Sequence, residues 1–286
     1  MSIRIDGKQI SAQIKDELKE RVEKENLEVT LAVIQVGNDP ASTVYVGNKK
    51  KACEYIGIRS LAYELPEETP EEELLQLIKE LNDRDDVNGI LVQLPLPAHM
   101  DEDKVIQTIS PKKDVDGFHP QSVGALSIGQ PGFVSCTPAG VIQLLKRTGV
   151  EIDGKECVIV GRSNIVGKPM ALLMLRENAT VTVCHSHTKD LKEVTKRADI
   201  LIVAIGKPKF ITKEYVKDGA VVIDVIIHRG ADGKLCGDVD YDDVAPITHA
   251  ITPVPGGVGP MTIAMLMNNC VEAKGLQELC TFILSL

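Results

Sequence analysis

Cys157-Val158-Ile159-Val160-Gly161-Arg162-Ser163-Asn164-Ile165-Val166-Gly167-Lys168-Pro169 joins a short apolar run to a stretch with helical character that continues to about Asn178. The glycines permit a tight turn, and a helix that starts there offers unpaired N–H groups to a phosphate. The spacing is GxxxxxG, not GxGxxG, so the usual dinucleotide fingerprint is not met. A strand-to-helix turn with no ligand has the same outline. The flanks decide the reading. A helix is expected from Thr137 to Gly149, strands over Cys157–Val160, Thr180–Cys184, Ile200–Ala204 and Ala220–Val225, a helix near Leu191, and a short helix after Gly206. This βαβαβ rhythm predicts a Rossmann-type nucleotide-binding domain over residues 120–264.

Two features select the nucleotide. Arg162 places a cation in the turn. The second strand ends in His185-Ser186-His187-Thr188, where an NAD site usually carries an Asp or Glu for the ribose 2′-OH. Donors without a carboxylate favour the 2′-phosphate of NADP. His185 and His187 also read as a metal pair, although no third ligand adjoins them in sequence.

Upstream the rhythm is also α/β. Residues 9–25 carry Ile10, Ile14, Leu18 and Val22 at i, i+4 spacing, which predicts an amphipathic helix. Val29–Val36 is a buried strand ending at Gly37, Asp39-Pro40 a turn, and 42–56 a helix. Residues 70–82 form another helix, with Pro70 and three glutamates at its start. Gly89-Ile90-Leu91-Val92-Gln93-Leu94 is a second buried strand, closed by Pro95 and Pro97. The expected division is 1–119 for this first domain and 120–264 for the second, with residues 265–286 packing back on the first. A cleft between two such domains is a usual place for a small-molecule site.

Tyr45 and Lys49 share a helix face four residues apart, followed by Lys50 and Lys51. A solvated lysine run is the commoner meaning of that string. Gln93 competes with it, because a polar amide near the C-terminal end of a buried strand needs a partner, and strand C-termini are where α/β proteins bind ligands. Asp114-Val115-Asp116-Gly117-Phe118 is an acidic turn, open to an Asx-turn reading and, more weakly, to a metal. Thr252-Pro253-Val254-Pro255-Gly256-Gly257-Val258-Gly259-Pro260 is a loop shaped in detail that delivers a helix start.

Composition sets the outer limits. The chain has 286 residues, 43% apolar and 26% charged, with a net charge of −9. That balance argues against a nucleic-acid partner. No apolar run reaches the ~18 residues of a membrane span. Arg4, Asp6 and Lys8 leave no apolar leader at the start. Seven cysteines without CxxC spacing read as buried thiols, and a cytoplasmic location is expected.

Taken together, these strings resemble the bifunctional methylenetetrahydrofolate dehydrogenase/methenyltetrahydrofolate cyclohydrolase family. The resemblance rests on Pro40-Ala41-Ser42 with Tyr45-Val46-x-x-Lys49, Val92-Gln93-Leu94-Pro95-Leu96-Pro97, and Lys113-Asp114-Val115-Asp116-Gly117-Phe118. It continues through Cys136-Thr137-Pro138, the Gly161–Pro169 turn and the Pro253–Thr262 loop. It implies two α/β domains with a folate site in the cleft, NADP as cofactor, a homodimer, and no resident metal. It also implies roles. Lys49 is the central group of the hydrolytic step, Gln93 tunes it, Tyr45 orients the folate, and Asp116 binds the pterin. Ser42 joins that polar network, and Pro255, Gly256 and Gly257 line the folate and nicotinamide side. Gly161, Arg162, Ser163, Ile165, Gly167, His185, Ser186, His187 and Ile226 fall to the cofactor.

The chain departs from the family pattern in two places. After Val222-Ile223-Asp224-Val225 the family usually has glycine and then a small turn with asparagine, whereas this chain has Ile226, Ile227 and His228. An isoleucine at the strand end crowds a cofactor ring that glycine would admit. His187 stands where a lysine or arginine is common. Three readings follow: a bifunctional enzyme, a cyclohydrolase with weak or absent dehydrogenase activity, and a non-catalytic nucleotide sensor.

Overall fold

The computed structural model describes residues 2–230 and 233–284, with backbone alone at 40–41 and 278–284. In chain order the elements are β1 (Ile3–Arg4), α1 (Gly7–Glu25), β2 (Thr30–Val36), α2 (Pro40–Ile56), β3 (Arg59–Leu65), α3 (Glu71–Asn82), β4 (Gly89–Val92), α4 (Glu102–Thr108) and α5 (Pro120–Ser127). They continue with α6 (Cys136–Arg147), β5 (Glu156–Val160), α7 (Gly167–Arg176), β6 (Thr180–Cys184), α8 (Leu191–Thr195), β7 (Ile200–Val203) and β8 (Val221–Asp224). The last are β9 (His228–Arg229), β10 (Leu235–Cys236), α9 (Tyr241–Val244), β11 (Ala250–Ile251) and α10 (Val258–Leu284).

The chain forms two units. One comprises Met1–Ala12 and Ser135–Met265, the other Gln13–Val134 and Leu266–Leu286. The larger unit holds a parallel sheet of strand order β1-β11-β8-β7-β5-β6. Its inner strands β5, β7 and β8 are almost continuous Val, Ile and Leu and are buried along their length, as expected of strands covered on both faces. The order reverses at β5, with β6 on one side and β7 on the other. The carboxyl ends of β5 and β7 therefore open the crevice where doubly wound sheets bind ligands.

The smaller unit holds a parallel sheet of order β3-β2-β4. Ile34, Ile90, Leu74 and Ile78 meet in its core, with α3 and α4 packed over β2 and β4.

The structure moves the expected boundaries. Residues 120–134 stay with the smaller unit because Ser122 Oγ on α5 donates to Asp114 Oδ2 at 2.8 Å. Residues 1–12 belong to the larger unit because Ile3 and Arg4 add an edge strand to Ala250 and Ile251. From Leu266 onward α10 groups with the smaller unit, where Asn269 Nδ2 donates to Val115 O at 2.8 Å. The packing expected of side chains 278–286, Cys280 included, lies outside the described residues.

Candidate active site

α2 starts cleanly. Asp39 Oδ2 accepts the amide of Ser42 at 2.8 Å, and Pro40 occupies the first turn, where a missing N–H costs nothing. The helix buries Ser42 and Lys49 and leaves Tyr45, one turn before Lys49, 37% exposed. Lys49 is only 7% exposed. Its Nζ donates to Gln93 Oε1 at 2.9 Å. Gln93 directly follows β4 and is fixed at both ends. Its amide donates to Ile34 O at 2.8 Å, and its Nε2 donates to Leu94 O at 2.7 Å. With Nε2 committed, the carboxamide oxygen points to the lysine, and its orientation is set by the network. Desolvation raises the Tyr45 hydroxyl above the usual phenol value.

Asp116 is half-buried on the turn between α4 and α5. The turn is held by its neighbour Asp114, which is 2% exposed and accepts Phe118 N at 3.2 Å, His119 N at 2.9 Å and the Ser122 hydroxyl. Burial pushes the Asp114 carboxyl up to about 6. The turn is thus Asx-like, with Asp114 as its anchor and Asp116 beside it. Cys270 of α10 is fully buried, and desolvation pushes its thiol upward, with Cys53 and Asp116 adding to the rise and Lys49 opposing it. The sequence marked Cys270 only as an apolar thiol, because nothing in its spacing links it to residue 49.

In the larger unit the glycine turn is built for close approach. Gly161 has φ +132°, and a Cβ there would lie 2.2 Å from Ala204 O, past the end of β7. A Cβ on Gly167 would lie 2.3 Å from Gly161 O. Ser163 Oγ accepts the amides of Val166 and Gly167 at 3.2 and 3.3 Å, and Ser135 Oγ braces the turn by donating to Ile165 O at 2.7 Å. Arg162, Ser163 and Ile165 are exposed, and no ion pair among the described residues engages Arg162. After β6, His185 Nδ1 accepts the amide of His187 at 3.2 Å, so Nδ1 is not free for a ligand. Ser186 and His187 are exposed. Among the described residues no three His, Cys, Asp or Glu side chains converge on a metal position.

The Pro253–Gly259 loop, with Asp224, Val225 and Ile227, lines a hollow in the same unit. Pro255 is exposed while Gly256 and Gly257 are buried, and Gly256 O accepts the amide of Lys8 at 3.2 Å. Ile226 is half-buried, and it is the next residue, Ile227, that lines the hollow. The structure thus gathers Lys49 and Gln93 in one unit, with Tyr45 and Ser42 on the lysine helix and Asp116 nearby. It keeps the Gly161–Gly167 turn, the His185–His187 turn and the Pro255–Gly257 loop in the other unit.

A doubly wound sheet with a glycine turn at its switch point, carried with a second α/β unit that holds a buried lysine–amide pair, has the form of a two-domain nucleotide-binding enzyme. Comparison with known proteins agrees. Family models of the tetrahydrofolate dehydrogenase/cyclohydrolase catalytic domain and NAD(P)-binding domain match residues 5–116 and 135–278. The chain belongs to the tetrahydrofolate dehydrogenase/cyclohydrolase family. It is 78% identical over 274 residues to Bifunctional protein FolD of Lachnoclostridium phytofermentans, covering 95% of this chain and 97% of that one. It superposes on the bifunctional FolD of Campylobacter jejuni with a TM-score of 0.94 at 51% identity, covering 96% and 99% of the two chains. The Trypanosoma brucei methylenetetrahydrofolate dehydrogenase-cyclohydrolase, solved with NADP cofactor and an inhibitor, aligns with a TM-score of 0.91 at 37% identity, covering 96% and 98%.

Proposed function

We propose that the chain oxidises 5,10-methylenetetrahydrofolate to 5,10-methenyltetrahydrofolate with NADP⁺ and hydrolyses that product to 10-formyltetrahydrofolate. The observation that carries the reading is the 2.9 Å bond from buried Lys49 to Gln93 Oε1. A lysine held in one orientation by a neutral acceptor is suited to move a proton at a chosen atom.

In the hydrolytic step water adds to the electrophilic methenyl carbon, and its proton must leave as the C–O bond forms. Lys49 in its amine form takes that proton, Gln93 keeps the nitrogen aimed, and the C–N5 bond of the hydroxy adduct then breaks, N5 leaving with the electron pair and taking up a proton as the hydroxyl loses its own to become the formyl C=O. Asp116 accepts paired N–H donors of the pterin. Tyr45 lies along the folate, and Ser42 supports the polar network at the start of α2. Pro255, Gly256 and Gly257 line the reacting side.

NADP⁺, when bound, accepts the hydride of the first step. The residues fit it. Neither Gly161 nor Gly167 has room for a side chain, and Arg162 stands exposed in the turn between them. Ser163 and Ile165 complete the turn, Ser186 and His187 offer donors to the 2′-phosphate, and Ile226 borders the strand end. The step requires positioning more than acid–base help. Relatives over nearly the whole chain are named bifunctional, so a hydrolase without hydride transfer and a nucleotide sensor are not favoured.

The same reading makes the enzyme a cytoplasmic homodimer. The six described cysteines form no disulfide with one another, in keeping with a reducing compartment. The edge strand β6 leaves Val183 38% exposed and α7 leaves Leu175 61% exposed, apolar surface of the sort a second copy covers. Lys49→Met tests the assignment. Hydrolysis of methenyltetrahydrofolate should fall by roughly 10²–10⁴-fold, the range for lost proton transfer, while NADP⁺ affinity is kept. Near-normal hydrolysis in that variant would sink it.

A further inference from the structure

The larger unit holds a second buried polar cluster that the proposed chemistry does not use. Asp238 is 0% exposed, yet its carboxylate is fully engaged. Oδ2 accepts Ile205 N at 2.7 Å and Gly206 N at 3.1 Å, and Oδ1 accepts Lys207 N at 2.7 Å. Those three amides form the turn that follows β7. Oδ1 also accepts Nε2–H of His228, at 2.7 Å. A carboxylate has no proton to give, which fixes the donor as the imidazole.

The segment around Asp238 is itself pinned. Asp224, at the end of β8, accepts the amides of Asp238 and Val239 at 3.0 and 2.9 Å. Gly237 has no room for a side chain, since a Cβ would lie 1.9 Å from Asp224 Oδ2. On the far side, Lys209 N donates to Gly237 O and Ile211 N to Asp238 O. Asp238 therefore cannot shift to follow its ligands, and the ligands follow it.

Two loops at the carboxyl end of the sheet hang on this carboxylate. One is 205–207 after β7, the strand next to the glycine turn. The other runs from Val225 to His228 after β8 and presents Ile227 to the hollow beside Pro253–Gly259. We infer that His228 is a positioning residue for the nicotinamide nucleotide, acting through Asp238 to hold the 205–207 turn and the Ile226–Ile227 turn in the shape that accepts the cofactor. This rests on the reading of the larger unit as the NADP site. In this chain Ile226 stands where a glycine would leave the turn open. A tether at residue 228 fixes where the Ile226–Ile227 turn sits.

The test is steady-state kinetics of the full-length protein with three chains: wild type, His228→Phe, which keeps a ring and removes the donor, and His228→Asn, which keeps a neutral donor. Hydrolysis of methenyltetrahydrofolate without nucleotide is run beside NADP⁺-dependent oxidation of methylenetetrahydrofolate. In His228→Phe the KM for NADP⁺ should rise about tenfold, the scale of one lost hydrogen bond to a charged group. Hydrolysis should stay within about twofold, and His228→Asn should recover most of the NADP⁺ KM. An unchanged NADP⁺ KM in His228→Phe overturns the inference. So does an equal loss of both activities that His228→Asn does not rescue, since that marks a merely structural residue. A wild type that hydrolyses but never reduces NADP⁺ overturns the functional reading first, and the inference with it.

Discussion

Lys49 and Gln93 come from different elements, α2 and the end of β4, and neither is informative alone. A lysine in a Lys-Lys-Lys string reads as solvated, and an amide in an apolar strand reads as a misplaced polar group. Their 2.9 Å contact turns both into one device. Gln93→Ala should therefore impair hydrolysis by about 10-fold or more, less than Lys49→Met does. A second prediction concerns Asp224, whose carboxyl burial raises to about 7. In the unfolded chain an aspartate ionises near ~4. Between roughly pH 4 and 7 the native state holds a proton that the unfolded state has released, so this group's contribution to stability declines as pH rises through that window. Asp224→Asn should flatten that part of the pH dependence while lowering stability overall, since one backbone amide loses its acceptor. Denaturant unfolding at pH 5, 7 and 8 for both chains measures it, and parallel pH slopes would contradict the assignment.

At the scale of elements the turn between β5 and α7 is closely packed backbone against backbone. Gly161→Ala would drive a methyl group into Ala204 O, a backbone atom that cannot swing aside. NADP⁺ reduction should fall at least about 100-fold, as expected when a reactant is misplaced by about an ångström, with a clear loss in melting temperature. Reduction at the wild-type rate would show that the turn tolerates what the geometry forbids. At the head of α2, Asp39→Ala should cost about 1 kcal/mol of stability, the worth of an N-cap, read from a denaturant midpoint. The elements legible in the sequence share one trait: they bury a continuous face. β2, β4, β5, β7 and β8 were apparent as apolar runs, and α3 from its spacing and acidic first turn. β3 was not, because as an edge strand its side chains are mostly exposed or half-exposed and the apolar signal is diluted. The two-residue strands β1 and β11 are too short to carry a pattern, and they find each other only in three dimensions. The Asp224–Asp238–His228 cluster was also missed. Its signal was present in the string Gly237-Asp238-Val239-Asp240, but a buried carboxylate with four donors resembles an exposed acidic turn until the fold is known.

The whole molecule combines two α/β units with separate tasks. Proton transfer is assigned to the three-stranded unit through Lys49, and nucleotide binding to the six-stranded unit through Gly161–Gly167. Sedimentation at micromolar concentration should give twice the chain mass, and a charged residue at Val183 should shift it toward the monomer, while a single monomeric species for the unmodified chain would contradict the dimer. Saturating NADP⁺ should raise the melting temperature, because a ligand that binds only the native state stabilises it by mass action, and NAD⁺ at equal concentration should do so less. The most direct test is a paired assay on the purified chain. One arm follows NADPH formation from methylenetetrahydrofolate, with NAD⁺ in parallel, and the other follows methenyltetrahydrofolate hydrolysis without nucleotide. Activity in both arms with NADP⁺ preferred is the predicted result, whereas hydrolysis without hydride transfer, or hydride transfer without hydrolysis, would contradict a bifunctional enzyme.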